Sequence, residues 1–320
     1  MFLFNAKKVN YAIIIINKTR LEILIERFNT KEQAKFYIES LGENFDDYIL
    51  EDKTFKSALE RVQVQLAKVI KYKIVQREYL PSYIFTPNNI ILVIGQDGLV
   101  ANTAKYANNI PIIAINPDKS RYDGVLLPFY SQNFIEAVNH VLKGSFKSRT
   151  YHFAEALLND GQRILAFNDI FIGASTHISA RYSINFNEKE ENHSSSGIIV
   201  STLAGSTGWL SSIFNMTTGI NSLFHNSKKK TLKQKRVKVK YSFNEKELFF
   251  VVREPFASIA SQTDISIGVI RDKKALVLKS QMPFNGVIFS DGIEKDFLHF
   301  NSGAVVTIQI AKERATLVLG

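Results

Sequence analysis

Ile90-Ile91-Leu92-Val93-Ile94-Gly95-Gln96-Asp97-Gly98 decides how the rest of this chain is read. Five branched apolar residues in succession describe a strand buried on both faces, which is the habit of a parallel sheet. The run stops at Gly95, and Gly98 follows after one amide and one carboxylate. Leu99 to Tyr106 then has helical composition. A strand, a glycine turn and a helix in this order aim backbone N–H groups at an anion beyond the strand's carboxyl end. An acid beside a phosphate is costly unless it meets a metal ion or takes a proton, so Asp97 is the first candidate for chemistry. The plain alternative is an ordinary strand-to-helix turn, for which Asp-Gly is a common dipeptide.

Working outward, the same grammar extends to both sides. Tyr11–Ile16 is another fully apolar strand, and Arg20–Arg27 reads as a helix. Thr30-Lys31-Glu32-Gln33 opens a further helix with a capping-box pattern. A long amphipathic segment over 54–72 leads to a strand at 73–78. Ile110–Ile115 forms a short apolar strand ending at Asn116, the position where open α/β sheets hold ligands. Strands alternating with helices up to Gly144 predict a parallel, Rossmann-like α/β domain over 1–146.

After about residue 147 the pattern changes. Strand-like runs at 151–158, 163–172, 177–186, 197–202, 236–243, 247–253, 265–270, 275–278, 286–290, 304–311 and 315–319 follow with no long helix between them. Asn159-Asp160-Gly161 is a hairpin turn, and Lys312-Glu313-Arg314 joins the final pair. Residues 147–320 are therefore expected to form an antiparallel, β-sandwich-like domain whose terminal strands return to the first domain.

The 320 residues contain no cysteine, which removes disulfides, thiolate metal sites and cysteine nucleophiles together. No apolar run is long enough to span a bilayer, and the N-terminal apolar stretch is short for a signal peptide, so a cytoplasmic protein without membrane partners is expected. The formal charge is +10, but residues 227–240 carry eight of the basic side chains and no acid. Lacking interleaved aromatics, that run reads as a solvated loop entering a strand rather than a grip on nucleic acid. The six histidines are scattered without metal-ligand spacing.

Two further segments carry chemistry. Phe167-Asn168-Asp169 sets an amide and a carboxylate inside an apolar strand, where one of the two must be buried and hydrogen-bonded. Ser196 to Trp209 runs from a buried strand into Ser201, Thr202, Gly205, Ser206 and Thr207, donors suited to phosphate or sugar oxygens. Trp209, the single tryptophan, is either a stacking surface or a core anchor.

In this order, Gly95-Gln96-Asp97-Gly98, Asn116, Asn168-Asp169, Ser196–Trp209 and Asp291-Gly292 resemble the motifs of the ATP-dependent NAD kinases, over roughly residues 90–320. The GGDG loop is shared with diacylglycerol kinases and phosphofructokinases. The resemblance implies an α/β domain, a β domain and an active site in the cleft between them, usually in a homodimer or homotetramer. It implies transfer of the ATP γ-phosphoryl group, with Mg²⁺, to the 2′-hydroxyl of NAD. Asp97 would be the catalytic base or the acid on the Mg-ATP side. Gly95, Gln96, Gly98, Gly205, Ser206 and Thr207 would handle the nucleotide phosphates. Asn116, Asn168, Asp169, Ser201, Thr202 and Trp209 would hold the acceptor.

Against the family's motifs the phosphotransfer machinery looks kept and the NAD-recognition part looks modified. Gln96 replaces a glycine, Leu99 a threonine, Ser196 an acid, Leu203-Ala204 a Pro-Thr pair and Trp209 a tyrosine, while Asp169 is one methylene shorter than the usual Glu. They leave two alternatives: a kinase of this fold acting on another sugar, nucleotide or lipid alcohol, and a silent nucleotide-binding regulator.

Overall fold

The strand Asn89–Ile94 is buried at every position, as the apolar run from Ile90 to Ile94 requires, and it lies inside a parallel sheet. The computed structural model describes residues 9–224, 244–272 and 274–320. The chain divides into two compact units, one running to Thr150 and including Ala315–Gly320, the other Tyr151–Arg314.

The first unit holds β1 (Tyr11–Ile16), α1 (Arg20–Phe28), α2 (Lys31–Ser40), α3 (Asp46–Leu66), β2 (Tyr72–Gln76), β3 (Asn89–Ile94), α4 (Asp97–Ala104), β4 (Pro111–Asn116), β5 (Phe129–Tyr130) and α5 (Phe134–Leu142). Its sheet runs β2-β1-β3-β4, all parallel, with the short β5 parallel beside the end of β4. Ile14, Leu92 and Ile113 pack with Val62 and Leu66 of α3 and with Phe134 and Val138 of α5. Each such aliphatic side chain contributes about 1.5–3 kcal/mol by leaving water. Thr19 and Glu22 form a reciprocal capping box on α1, and Thr30 caps α2 through the Gln33 N–H. The long helix begins earlier than its amphipathic pattern suggests, at Asp46 rather than 54, and stops at Leu66.

The second unit holds β6 (Ser148–Leu158), β7 (Arg163–Ala166), β8 (Asp169–Ala174), β9 (Ala180–Phe186), β10 (Lys189–Ser195), β11 (Ile198–Ser201), α6 (Trp209–Phe224), β12 (Leu248–Val252), β13 (Ile267–Ile270), β14 (Leu276–Ser280), β15 (Gly286–Ser290), β16 (Ile293–His299) and most of β17 (Val305–Val318). One layer carries β10-β9-β14-β17 with β6 and β7, and the other is the six-stranded sheet β13-β12-β11-β8-β15-β16. Ile170, Ile172, Ile198, Val200 and Phe250 of the second layer meet Ala154, Tyr182, Ile184, Leu278 and Val306 of the first in one core. This is the antiparallel sandwich that the alternating sequence predicts.

Four expectations need correction. The run 163–172 is not one strand: β7 and β8 lie in different layers, with a break at Phe167-Asn168. The final hairpin is absent, because β17 is continuous from Val305 to Val318. Glu313 stays in the strand and pairs with Arg163 Nη2 at 2.9 Å, while Thr316 and Leu317 pair in parallel with Pro111 and Ile112. The β half also contains a 16-residue helix, α6. Its Ser, Thr and Gly content hides it, and Thr217 and Thr218 donate their hydroxyls to carbonyls four residues back. Finally, β10 was not foreseen, its sequence Lys189-Glu190-Glu191-Asn192-His193-Ser194-Ser195 being almost wholly polar. The expected strand at 236–243 and the basic run at 228–240 lie outside the described residues. Among the described residues, no helix is long and apolar enough to cross a membrane.

Candidate active site

In the first unit, β3 delivers Gly95 and Gln96, and α4 starts at Asp97. The Gly95 N–H donates to the Ile115 carbonyl at 3.3 Å, tying this loop to the end of β4. Asp97 does not cap its own helix. Its two carboxylate oxygens accept the backbone N–H groups of Leu126 at 2.7 Å and Val125 at 3.3 Å. The two donated N–H groups fix the carboxylate and leave its remaining lone pairs for a cation or a proton. Gln96, the residue that replaces a glycine, donates its side-chain amide to Tyr122, whose phenol burial pushes above the ordinary value.

Asn116 is buried, and its side chain organises the loop that follows β4. Its Oδ1 accepts the Asp118 N–H at 2.9 Å, and its Nδ2 donates to the Tyr122 carbonyl at 3.2 Å. A Cβ at Gly124, which has φ +66°, would stand 2.7 Å from Asn116 Nδ2. Asp97, Asn116 and the 117–126 loop are therefore one hydrogen-bonded assembly at the carboxyl ends of β3 and β4, where parallel sheets bind ligands. Leu126, Tyr122 and Gly124 were missed from sequence; the Asp123-Gly124 turn dipeptide was the available signal.

In the second unit, three segments remote in sequence meet at the break between β7 and β8. The Asp291 carboxylate accepts the N–H groups of Asn168 at 2.6 Å, Phe167 at 3.1 Å and Asp169 at 3.3 Å. The Asp291 N–H in turn donates to the Asp169 carbonyl at 2.9 Å. Thr202 closes the other side: its N–H donates to Asn168 O at 2.9 Å and its hydroxyl to Phe167 O at 2.5 Å. Gly205 lies so close that a Cβ there would be 2.1 Å from Asn168 O. Asn168 and Asp169 thus stand on a turn fixed by a carboxylate, a hydroxyl and a glycine.

Asp169 begins β8 opposite Ser201 of β11, on the sheet face that carries Phe171 and Ile199. Burial, reinforced by the nearby negative charge of Asp291, raises its carboxyl to about 7. Ser201, Thr202 and Ser206 are buried, and each hydroxyl donates to a backbone carbonyl, so they shape this turn; Thr207 is exposed. Trp209 opens α6 and stacks on Phe171 at 5.7 Å with the Arg253 guanidinium 5.6 Å from its ring centre; half-buried, it lines a cavity together with Phe171, Ser196 and Arg253.

No family model matches the chain. Among curated proteins it is similar to the NAD kinase of Saccharolobus islandicus strain M.14.25, at 29% identity over 119 residues, 37% of this chain and 45% of that protein. It is also similar to the NAD kinase of Chlorobium luteolum, at 30% identity over 129 residues, 39% of this chain and 44% of that protein. Over these segments the chain is similar to NAD kinases. It spans less than half the length of the curated relatives that it matches. The NAD kinase fold extends over nearly all of it. Yeast NADH kinase complexed with NADH aligns with a TM-score of 0.61 at 12% identity, covering 98% of this chain and 84% of that one. An NAD kinase from Archaeoglobus fulgidus in complex with ATP aligns with a TM-score of 0.54 at 16% identity, covering 96% and 92%.

Proposed function

We propose that the chain is an NAD kinase-like phosphotransferase that moves the γ-phosphoryl group of ATP to the 2′-hydroxyl of NAD, giving NADP. The observation that carries this reading is the meeting of Asn168-Asp169, Thr202 with Gly205, and Asp291 on one turn. These are the motif segments by which the sequence resembles the family, and their relatives are NAD kinases. Phosphoryl transfer asks for positioning and charge neutralisation more than covalent help, and a rigid turn presenting an amide and a titratable carboxyl supplies positioning.

In this reading Asn168 and Asp169 hold the acceptor hydroxyls. A carboxyl raised to about 7 is present both protonated and ionised near neutrality, so Asp169 can donate to or accept from a hydroxyl. Asp97 is the acid of the phosphate loop, pre-oriented by the Val125 and Leu126 N–H groups. Among the described residues no group of three or more histidines and carboxylates could hold a metal. That donor set fits a Mg²⁺ bound mainly through nucleotide phosphates, with Asp97 as the nearby protein carboxylate. There the ion would neutralise charge on the transferred group.

One observation favours a second reading, a kinase of this fold with another alcohol as acceptor. Ser196 stands where the family keeps an acid, and Trp209 is committed to Phe171 and Arg253. Purified protein incubated with Mg-ATP and a panel containing NAD, NADH and simpler nucleosides separates the two, because the acceptor that consumes ATP stoichiometrically is the substrate.

A further inference from the structure

Residues 117–126 pass between β4 and β5 with no helix or strand of their own, yet two of their N–H groups fix Asp97. Whatever holds this loop therefore holds the acid. Its first half is tied internally. The N–H groups of Arg121 and Tyr122 donate to the Asp118 carbonyl at 3.2 and 3.1 Å, and Asp118 Oδ1 accepts the Ser120 N–H at 2.9 Å. Such a turn keeps its own shape but does not set its place against the sheet.

Three anchors set that place. Asn116 is the first, through the Tyr122 carbonyl. The second is Glu51 of α3, a buried carboxylate whose Oε2 lies 3.6 Å from Arg121 Nη1. The same oxygen accepts Arg20 Nε of α1, and that guanidinium sits over the Tyr48 ring at 4.4 Å. A buried carboxylate is costly unless it is paired, so Glu51 keeps both guanidinium groups and draws Arg121 towards α3. The third anchor is the Gln96 side-chain amide on the Tyr122 phenol. Gln96 immediately precedes Asp97, so the glycine turn meets the loop twice, at Tyr122 and at Val125 and Leu126. The last two anchors belong to this chain: Gln96 replaces a glycine of the motif, and Glu51 precedes the segment that carries the resemblance.

We propose that Glu51 and Gln96 are positioning residues that act on Asp97 through the 117–126 loop, Glu51 by way of Arg121 and Gln96 by way of Tyr122. They fix the loop, and the loop's Val125 and Leu126 N–H groups fix the carboxylate in the orientation that phosphoryl transfer uses. This rests on the reading of Asp97 as the acid of the phosphate loop.

Amide hydrogen exchange at Val125 and Leu126 is measured in the full-length protein and in Glu51→Gln, Gln96→Gly and Tyr122→Phe, each checked by its melting temperature. Exchange at these two positions should speed by about fivefold or more in every variant, while exchange at Ile113 and Ile115 within β4 stays as it was. Turnover is then followed with Mg-ATP and the alcohol that the acceptor panel identifies. In Glu51→Gln, kcat should fall by about tenfold with KM for ATP little changed, and Arg121→Lys should keep more activity than Arg121→Gln. In an Asp97→Asn background Glu51→Gln should lower kcat no further, because its effect passes through that carboxylate. Lowered melting temperatures with unchanged exchange at Val125 and Leu126, or losses that multiply with Asp97→Asn, overturn the proposal. If no alcohol is phosphorylated, the phosphotransferase reading fails, and the exchange measurements still decide whether Glu51 and Gln96 hold the loop.

Discussion

The Asp291 carboxylate accepts the backbone N–H of Asn168 at 2.6 Å, across 123 residues of chain. The same carboxylate holds the N–H groups of Phe167 and Asp169. Three donors on one anion make the turn rigid and keep negative charge beside Asp169. The two acids therefore differ in kind: Asp291 builds the turn, and Asp169 is what the turn displays.

That difference gives a pH dependence. The carboxyl of Asp169 titrates near 7 in the folded chain, above its unfolded value. A raised acid contributes stability that is complete below about pH 4 and is lost as pH rises through 7. About three pKa units correspond to roughly 4 kcal/mol at most. Asp169→Asn should therefore unfold at a higher temperature than the parent at pH 8, with the gap closing towards pH 4. A pH-independent gap between the two melting curves would show that Asp169 is ionised normally.

The glycines offer a paired test. Gly205→Ala drives a Cβ to 2.1 Å from a backbone oxygen, whereas a Cβ at Gly98 meets nothing within 4 Å. The first substitution should destabilise the protein by about 2 kcal/mol or more and disturb the Asn168 turn. The second should leave stability within about 0.5 kcal/mol. If Gly98→Ala nevertheless reduces ATP affinity, the loop amides approach phosphate closely; unchanged affinity removes them from the site.

Much of this was legible in the sequence, for physical reasons. Buried parallel strands such as β3 are continuous apolar runs, and period-two alternation marks the sandwich strands. The motif residues were visible, but their partners were not, because hydrogen bonds such as Asp291 to Asn168 or Asp97 to Leu126 join positions that no local pattern relates. Asn168-Asp169 looked like part of a strand since Phe167 and Ile170 flank it with apolar residues, and only the three N–H groups taken by Asp291 reveal the break. The hydroxyls of Ser201, Thr202 and Ser206 looked like ligand donors. In the structure they serve the backbone, a use that composition does not distinguish. The polar β10 and the hydroxyl-rich α6 show tertiary pairing overriding local propensity.

Asp97→Asn tests the loop acid. Asparagine keeps one acceptor oxygen but replaces a charge-assisted bond to Leu126 or Val125 with a neutral one. Stability should fall by about 0.5–2 kcal/mol, and phosphoryl transfer by roughly 10²–10⁴-fold. A variant that loses stability but keeps full turnover would confine Asp97 to holding the 124–126 loop.

The most direct measurement is of the product. Purified protein with Mg-ATP and NAD, followed by enzymatic assay for NADP, should yield NADP and ADP in equal amounts, and Asp97→Asn and Asp169→Asn should each suppress both. Saturable ATP binding with no NADP formed, while another alcohol is phosphorylated or ATP is left untouched, would contradict the assignment of NAD as the acceptor.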